Sequence, residues 1–482
     1  MPKDTQAQTK PSVFLRRNFP FSPTPGQERF FELMDRFFGI PVQKKPTFVL
    51  RGYAGTGKTS VVSAVVRSLQ AIGLKSLLLA PTGRAAKVMS AYAGRMGFTI
   101  HKIIYRPKQG TDGVSSGFEI QKNYYRDTLF IVDEASMLAD EGMGARLLKD
   151  LISFVFQQES NRLLLVGDTA QLPPVGSQKS PALDKIHLVR HYGLEVIGTE
   201  LMEVMRQDQA SGILYNATRL RQEVMLEKPN ISLVSKGFRD FFRMTGEKLE
   251  EGLRYAYDKF GVDQTIIITR SNKSAVQYNQ YIRRVIHFFE DEIDVGDLLM
   301  IVKNNYTYMA ESDKVSFLAN GDFVEIIKIR SFEEIYGFRF ATVELRLLDY
   351  PEEPFFEAKI ILDTLYADTP SLSGEQYQSL YRQVLEDYQD LSNSKEKSEA
   401  LKKDPYLNAL QVKFAYALTC HKSQGGQWAA VFVDQGYLQE DQLDQEYIRW
   451  LYTAVTRASR ELFMVNFHAK FYVNDAESNK EL

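Results

Sequence analysis

One lysine and its neighbours carry the clearest chemistry in this chain. Residues 47–60 read TFVLRGYAGTGKTS, and Gly52, Gly55 and Gly57 lead into Lys58 and Thr59 in the pattern G-x-x-x-x-G-K-T. Glycines at that spacing let the backbone fold tightly enough for its N–H groups to converge on phosphate oxygens. A helix starting there adds the positive end of its dipole. Lys58 brings an ammonium to the β- and γ-phosphates of a nucleotide, and Thr59 a hydroxyl to Mg²⁺. Gly52, Gly55, Thr56, Gly57, Lys58, Thr59 and Ser60 are thus the predicted nucleotide cradle. An accidental glycine turn would not require the apolar strand before it (Thr47 to Leu50) and the helical pattern after it (Val61 to Leu69).

Other groups with chemical potential sit at the ends of apolar runs. Thr128 to Val132 (TLFIV) reads as a buried strand ending in Asp133 and Glu134. Asp133 suits Mg²⁺ held through water, and Glu134 suits orienting or deprotonating an attacking water; the plain alternative is a solvated helix cap. Arg162 to Val166 (RLLLV) ends in GDTAQLPPV. There Gln171 either senses the γ-phosphate or faces solvent on a turn stiffened by Pro173 and Pro174. The strand Lys75 to Leu79 leads to Thr82, Gly83 and Arg84, at the strand end where ligands of open α/β sheets bind, or in an ordinary connection. Gln27 also has two readings. Thr24-x-x-Gln27 makes a capping box, and an amide at this distance before the loop can bind the amino group and N7 of adenine; spacing alone favours the cap. Arg206 and Arg457, taken singly, read as solvated helix-end charges.

These residues require elements to position them. Pro25 opens a helix running to about Phe38. Residues 97–127 read as an inserted β-hairpin with a Gly/Ser-rich tip. The second half again alternates strands with polar loops. QTIIIT lies at 264–269, and FAYALT at 414–419 leads to CHKSQGGQW, followed by a strand at 430–433 and a helix from Tyr447 to Thr456. Leu201 to Gln207 reads as a short helix. Strand-and-turn units across 296–409 predict a small β-barrel, with 375–400 as a charged helical arm. Residues 1–18 read as a loose tail.

The chain has 482 residues, 44% of them hydrophobic, which at roughly 100–200 residues per domain allows three or four domains. A single cysteine, Cys420, excludes an intrachain disulfide and a cysteine-based metal site, and the histidines suggest no zinc site. No apolar run reaches the ~18–20 residues of a membrane span, the N-terminus lacks a signal-peptide hydrophobic region, and cytoplasm is the default location. The net charge of −2 does not advertise a nucleic-acid binder, but a basic channel can lie between acidic faces.

Taken in order, the motifs resemble those of superfamily 1 helicases, in the RecD/Dda-like branch that moves 5′ to 3′. The series is TPGQ at 24–27, GYAGTGKT at 52–59, APTGRAA at 80–86, TIHK at 99–102, DEAS at 133–136, GDTAQLPP at 167–174, MRQ at 205–207, ALTCHKSQG at 417–425 and YTAVTRA at 452–458. The resemblance spans nearly all of residues 20–470. It implies an α/β fold of two tandem RecA-like P-loop domains, with an inserted pin hairpin and an inserted SH3-like β-barrel. The first RecA-like domain would take 19–96 and 128–195, the pin 97–127, the second RecA-like domain 196–295 and 410–470, and the barrel with its arm 296–409. Flexible tails would occupy 1–18 and 471–482.

The resemblance makes Gln27 an adenine contact and Arg206 and Arg457 arginine fingers that reach across a cleft to the γ-phosphate. It places Thr82, Gly83, Arg84 and His101 on DNA from the first layer, and Thr419, His421, Lys422 and Ser423 from the second. Gln427 stands where relatives carry a glutamate that binds the ATP ribose. The pin lacks an obvious aromatic wedge, leaving Tyr105 or Tyr124 for that role. The implied activity is an ATP- and Mg²⁺-dependent, sequence-independent DNA helicase of replication, repair or recombination. Its partners would be single-stranded DNA and ss/ds junctions, with RNA not distinguished from DNA, and it would be a monomer. A translocase that strips proteins from single strands is the alternative. A small-molecule P-loop ATPase or kinase is a remote one, leaving the two distant arginines and the second α/β layer unexplained.

Overall fold

The computed structural model describes residues 10–107, 118–140, 146–204, 211–226, 228–305, 307–309, 317–391, 393–438 and 442–473. The chain divides into two compact units. The first comprises 1–81, 85–104 and 120–210; the second comprises 82–84, 105–119 and 211–482.

The first unit is built on a parallel six-stranded sheet, in the order Gly97–Thr99, Lys75–Ala80, Thr128–Val132, Arg162–Gly167, Pro46–Gly52, Glu195–Leu201. Thr128–Val132 is buried at every position, as expected of a strand covered on both faces. Because all strands run the same way, the loop after Pro46–Gly52, the acids after Thr128–Val132 and the GDTAQ loop after Arg162–Gly167 share one edge. Helix Pro25–Phe38 packs Phe30, Phe31, Met34 and Phe37 into the core beside Phe48 and Leu50.

Three expectations change here. The predicted N-terminal tail is helical over Pro11–Asn18. Ser12 donates from both its backbone N–H and its hydroxyl to Asp35 at 2.7 Å each, Leu15 is buried, and Asn18 donates to Ser68 at 3.0 Å. These anchors are long-range and leave no local pattern. Residues 1–9 lie outside the described residues. Glu195–Leu201 is the edge strand of the first sheet, paired with Pro46–Gly52, so 196–201 belongs to the first unit and not to the second domain. Leu201 accordingly ends a strand, and 202–204 is irregular rather than helical.

The second unit holds a parallel five-stranded sheet, in the order Ala417–Thr419, Thr265–Thr269, Trp428–Asp434, Ala458–Val465, Phe241–Met244. It also holds a closed barrel of five strands: Leu298–Ile301, Phe323–Ile335, Phe338–Leu347, Phe356–Ile361 and Leu410–Phe414. The last of these corrects the expected boundary at 410, since Leu410–Phe414 pairs with both Leu298–Ile301 and Phe356–Ile361. The charged arm forms helices Gly374–Asp387 and Ser394–Lys403, and it is docked rather than merely solvated. Leu380, Val384 and Leu401 pack with Phe338, Phe340 and Ile361 of the barrel.

Where the insertion leaves and rejoins the sheet, a buried polar cluster forms. Arg283 Nε meets Asp297 Oδ1 at 2.8 Å, the Tyr416 hydroxyl donates to the same oxygen at 3.0 Å, and that hydroxyl accepts the Leu298 N–H at 3.2 Å. At the C-terminus Phe471 is buried and Val473 donates to Leu233 at 3.0 Å, so the expected tail is tied down as far as 473.

Candidate nucleotide site and nucleic-acid interface

The loop after Pro46–Gly52 folds as its glycines require. Gly55 and Gly57 take φ of 75° and 81°, which side chains disfavour, and Gly57 caps helix Lys58–Leu69. A Cβ on Gly52 would come within 2.9 Å of Thr56 Oγ1 and 3.1 Å of Lys58 Cγ, so only glycine keeps this curl. Lys58 Nζ donates to the carbonyls of Gly52 and Tyr53 at 2.8 and 2.9 Å. Thr56 is buried, with its hydroxyl on Tyr53 O at 2.8 Å. Thr59 is exposed and Ser60 half-buried in the first helical turn.

Gln27 is fully buried, and the capping box forms in both directions: Thr24 N donates to Gln27 Oε1 at 3.0 Å, and Gln27 N donates to Thr24 Oγ1 at 3.4 Å. The amide also does what a cap alone would not, donating from Nε2 to the Thr56 carbonyl at 3.1 Å. One side chain thus ties the helix start to the phosphate loop.

At the neighbouring strand end, Asp133 accepts the Tyr92 hydroxyl at 2.5 Å and the Glu134 N–H at 2.8 Å. Burial, with Asp133 and Glu134 nearby, pushes the Tyr92 hydroxyl well above its ordinary pKa, so it remains a proton donor. Glu134 occupies the left-handed region at φ 51°. Beyond it, the Ser136 hydroxyl is buried with no hydrogen-bond partner among the described residues. Gln171 is buried, and the Asp168 carboxylate just before it accepts the Ala170 N–H at 2.9 Å. Tyr92 has no counterpart among the sequence motifs. In sequence it is one more aromatic on a helix, and its partner lies 41 residues away.

The donor set fits a magnesium nucleotide: a glycine curl no side chain could enter, an ammonium, an exposed threonine hydroxyl and a carboxylate at an adjoining edge. His101 sits on the short helix Ile100–Ile104, and burial lowers its pKa, favouring the neutral ring. Arg206 lies outside the described residues.

In the second unit, Thr419 ends a strand and caps the turn Cys420–Ser423. His421 is exposed. Ser423 is buried with its hydroxyl on Cys420 O at 2.8 Å, and Lys422 Nζ donates to Asn320 Oδ1 at 2.8 Å. Arg457 is only 3% exposed; its guanidinium donates to Thr453 O at 3.0 Å, Gly426 O at 3.2 Å and Thr456 Oγ1 at 3.2 Å. Thr82, Gly83 and Arg84 group with this unit. Arg84 stacks over Trp428, 4.1 Å from the ring centroid, and donates to the Gln427 carbonyl at 3.0 Å. Gln427 itself is exposed. The Tyr105–Pro107 and Phe118–Ile120 strands pair as a two-stranded ladder; the predicted tip between them lies outside the described residues. Tyr124, just beyond the ladder, is 78% exposed. Among the described residues no cluster of three or more His, Cys, Asp or Glu could hold a metal, although His187 and His191 stack at 4.3 Å on one helix. Nor is any helix among them long and apolar enough to cross a membrane.

Fold and site together define a P-loop nucleotide-binding protein with two parallel α/β sheets. Residues 41–228 match the family model of an AAA domain, and residues 414–465 match that of a UvrD-like helicase C-terminal domain. The ATP-dependent DNA helicase dda of Enterobacteria phage T4 is 24% identical over 473 residues, covering 92% of this chain and 99% of that protein. The ATP-dependent RecD2 DNA helicase of Deinococcus radiodurans is 38% identical over 130 residues, 26% of this chain and 16% of that protein. A solved structure of two coordinating Pif1 helicases at forked double-stranded DNA aligns over 95% of this chain and 96% of that one, at 14% identity and a TM-score of 0.47. The family models and these relatives support a superfamily 1 helicase of the RecD/Dda-like branch.

Proposed function

We propose that this helicase hydrolyses ATP to move 5′ to 3′ along single-stranded DNA and to unwind the duplex ahead, without reading base sequence. The observation that carries the reading is the placement of its motifs. The phosphate loop, Asp133 with Glu134, and the Gln171 loop follow three adjoining strands of one parallel sheet. A second parallel sheet ends in Thr419, His421 and Lys422, which suit a phosphodiester backbone.

In the first unit, Lys58 binds the β- and γ-phosphates by exchanging its bonds to Gly52 O and Tyr53 O for phosphate oxygens. Glu134 orients the attacking water and takes its proton. Asp133, held by the Tyr92 hydroxyl and acting through water, and Thr59 would hold Mg²⁺, which would supply charge neutralisation to the phosphates. Gln27 holds the adenine edge while its backbone keeps the helix start closed, and Gln171 reports the γ-phosphate to the DNA-binding loops. Arg206 and Arg457 stabilise charge on the transferred phosphoryl group, for which a guanidinium fork is suited. The motif-bearing edges grip the strand alternately as ATP is bound and spent. Thr82, Arg84, His101, Thr419, His421 and Ser423 contact it. The barrel acts as an SH3-like domain over the strand, and the ladder at 105–120 forms the base of a pin that splits the duplex.

Partial duplexes with either a 5′ or a 3′ single-stranded tail, incubated with ATP and Mg²⁺, test this. Unwinding of the 5′-tailed substrate alone is expected. Unwinding only from the 3′ tail would reverse the polarity. ATPase stimulated by single strands without unwinding would favour the translocase.

A further inference from the structure

The two groups that suit magnesium in the first unit stand on different elements. Thr59 lies in the first turn of helix Lys58–Leu69, and Asp133 follows strand Thr128–Val132. A single residue of a third element joins the supports of both. Tyr92 lies in the last turn of helix Gly83–Ala93. Its hydroxyl donates to Asp133 Oδ2 at 2.5 Å, and its carbonyl accepts the Ser63 hydroxyl at 3.0 Å. Ser63 is buried on helix Lys58–Leu69, one turn beyond Thr59 on the same face. Two hydrogen bonds through Tyr92 thus connect the helix that carries Thr59 to the carboxylate of Asp133.

Each bond has an ordinary structural use. A carbonyl in the last turn of a helix lacks an intrahelical donor, and a serine supplies one. A half-buried tyrosine hydroxyl needs a partner. What exceeds that use is the choice of acceptor. Asp133 Oδ1 accepts the Glu134 N–H at 2.8 Å while Oδ2 accepts Tyr92, so one donor on each oxygen fixes the plane of the carboxylate. An oxygen that accepts one such bond retains a second lone-pair direction, which suits the water shell of a cation. The Tyr92 ring packs on the apolar core shared by helices Lys58–Leu69 and Gly83–Ala93, which gives the hydroxyl a firm base.

We propose that Tyr92 is a positioning residue for magnesium: by joining Ser63 to Asp133 it sets the separation of Thr59 and Asp133, and with it the affinity for the metal in the presence of nucleotide. This rests on the ATPase reading and adds Ser63 and Tyr92 to it.

The test uses the full chain and a fluorescent, non-hydrolysable ATP analogue, with anisotropy followed across a magnesium series and, separately, in EDTA. Tyr92→Phe keeps the ring in the core and removes only the hydroxyl. Loss of a group that orients a metal ligand lowers metal affinity about 10–100-fold, and a ligand acting through water belongs at the low end. Half-saturating magnesium is therefore expected to rise about tenfold in Tyr92→Phe, with nucleotide affinity in EDTA unchanged. Ser63→Ala should move the magnesium midpoint the same way by less, and should add little once the hydroxyl is gone, because both bonds act on one separation. A purely structural tyrosine would lower the melting temperature of Tyr92→Phe and leave the magnesium midpoint in place, and that result would overturn the proposal. Equal losses of nucleotide affinity with magnesium and in EDTA would overturn it too. If Tyr92→Phe fails to fold, the magnesium midpoint of Ser63→Ala decides: a rise supports the brace, and no change overturns it. A native chain that binds the analogue equally well with and without magnesium would instead remove the magnesium reading itself.

Discussion

The two parallel sheets end in contrasting ways. At the first sheet's edge the charged groups hold exchangeable partners. Lys58 rests on two carbonyls of its own loop, and Asp133 takes a tyrosine hydroxyl and a neighbouring N–H. Under the proposed function each would exchange these for phosphate or metal. At the second sheet's edge the guanidinium of Arg457 is buried and tied to three oxygens, two of its own motif and one of Gly426. One edge is built for partners that come and go, the other for a charge held in a fixed place. At Lys58 local folding energy is therefore largely separate from the proposed chemistry, whereas at Arg457 the two are entangled.

Substitutions can break that contrast, and the largest effect belongs to Lys58. Lys58→Ala is expected to lower single-strand-stimulated ATP hydrolysis by about 10³-fold in steady-state assays, with the melting temperature nearly unchanged. Arg457→Ala should cost about 10²-fold in the same assay, and also about 1–3 kcal/mol of stability in denaturant titrations, because buried carbonyls lose their donor. Arg457→Lys should not restore activity, since an ammonium cannot reach all three oxygens. A fully stable Arg457→Ala protein would erase the distinction.

A third test concerns pH. Burial lifts the Asp322 carboxyl in the second unit to about 7, with one oxygen accepting the Ala319 N–H at 2.7 Å. The folded state then binds more protons than the unfolded state between the ordinary carboxylate range and about 7, so stability falls as pH rises through that window. Asp322→Asn should raise the melting temperature by a few degrees at about pH 8.5 and by less at about pH 5, read by differential scanning fluorimetry. The smallest effect is expected from Gln27→Ala, which removes the capping box. About 0.5–2 kcal/mol should be lost in denaturant titrations, alongside a raised KM for ATP as the phosphate loop loses its tie to Thr56.

Much of the first edge is legible in the sequence because its determinants are local. Glycine spacing, an apolar strand before it and a helical pattern after it fix Pro46–Gly52 and Lys58–Leu69 within a few residues. The same holds for Thr128–Val132 and its two acids. Gln27 shows the limit of spacing: the cap is readable, but the amide's bond to Thr56 crosses 29 residues and depends on how helix and loop pack. Tyr92 is invisible for the same reason. The helix Pro11–Asn18 escapes a reading of local pattern because a polar, basic stretch of this length becomes helical only when Asp35 and the core hold it. Glu195–Leu201 falls on the wrong side of the expected boundary because an edge strand carries no label for the sheet it joins.

The cluster around Asp297, Leu298 and Tyr416 has a consequence for the history of the chain. The insertion departs and returns through residues that hydrogen-bond one another, so its two ends already lie side by side. An ancestral sheet could have accepted the barrel at this point as it would a hairpin turn, without any of its own strands shifting. Conversely, a short turn joining Asp297 to Tyr416 should excise the barrel and leave the five parallel strands intact, making the barrel a module that can be removed or exchanged.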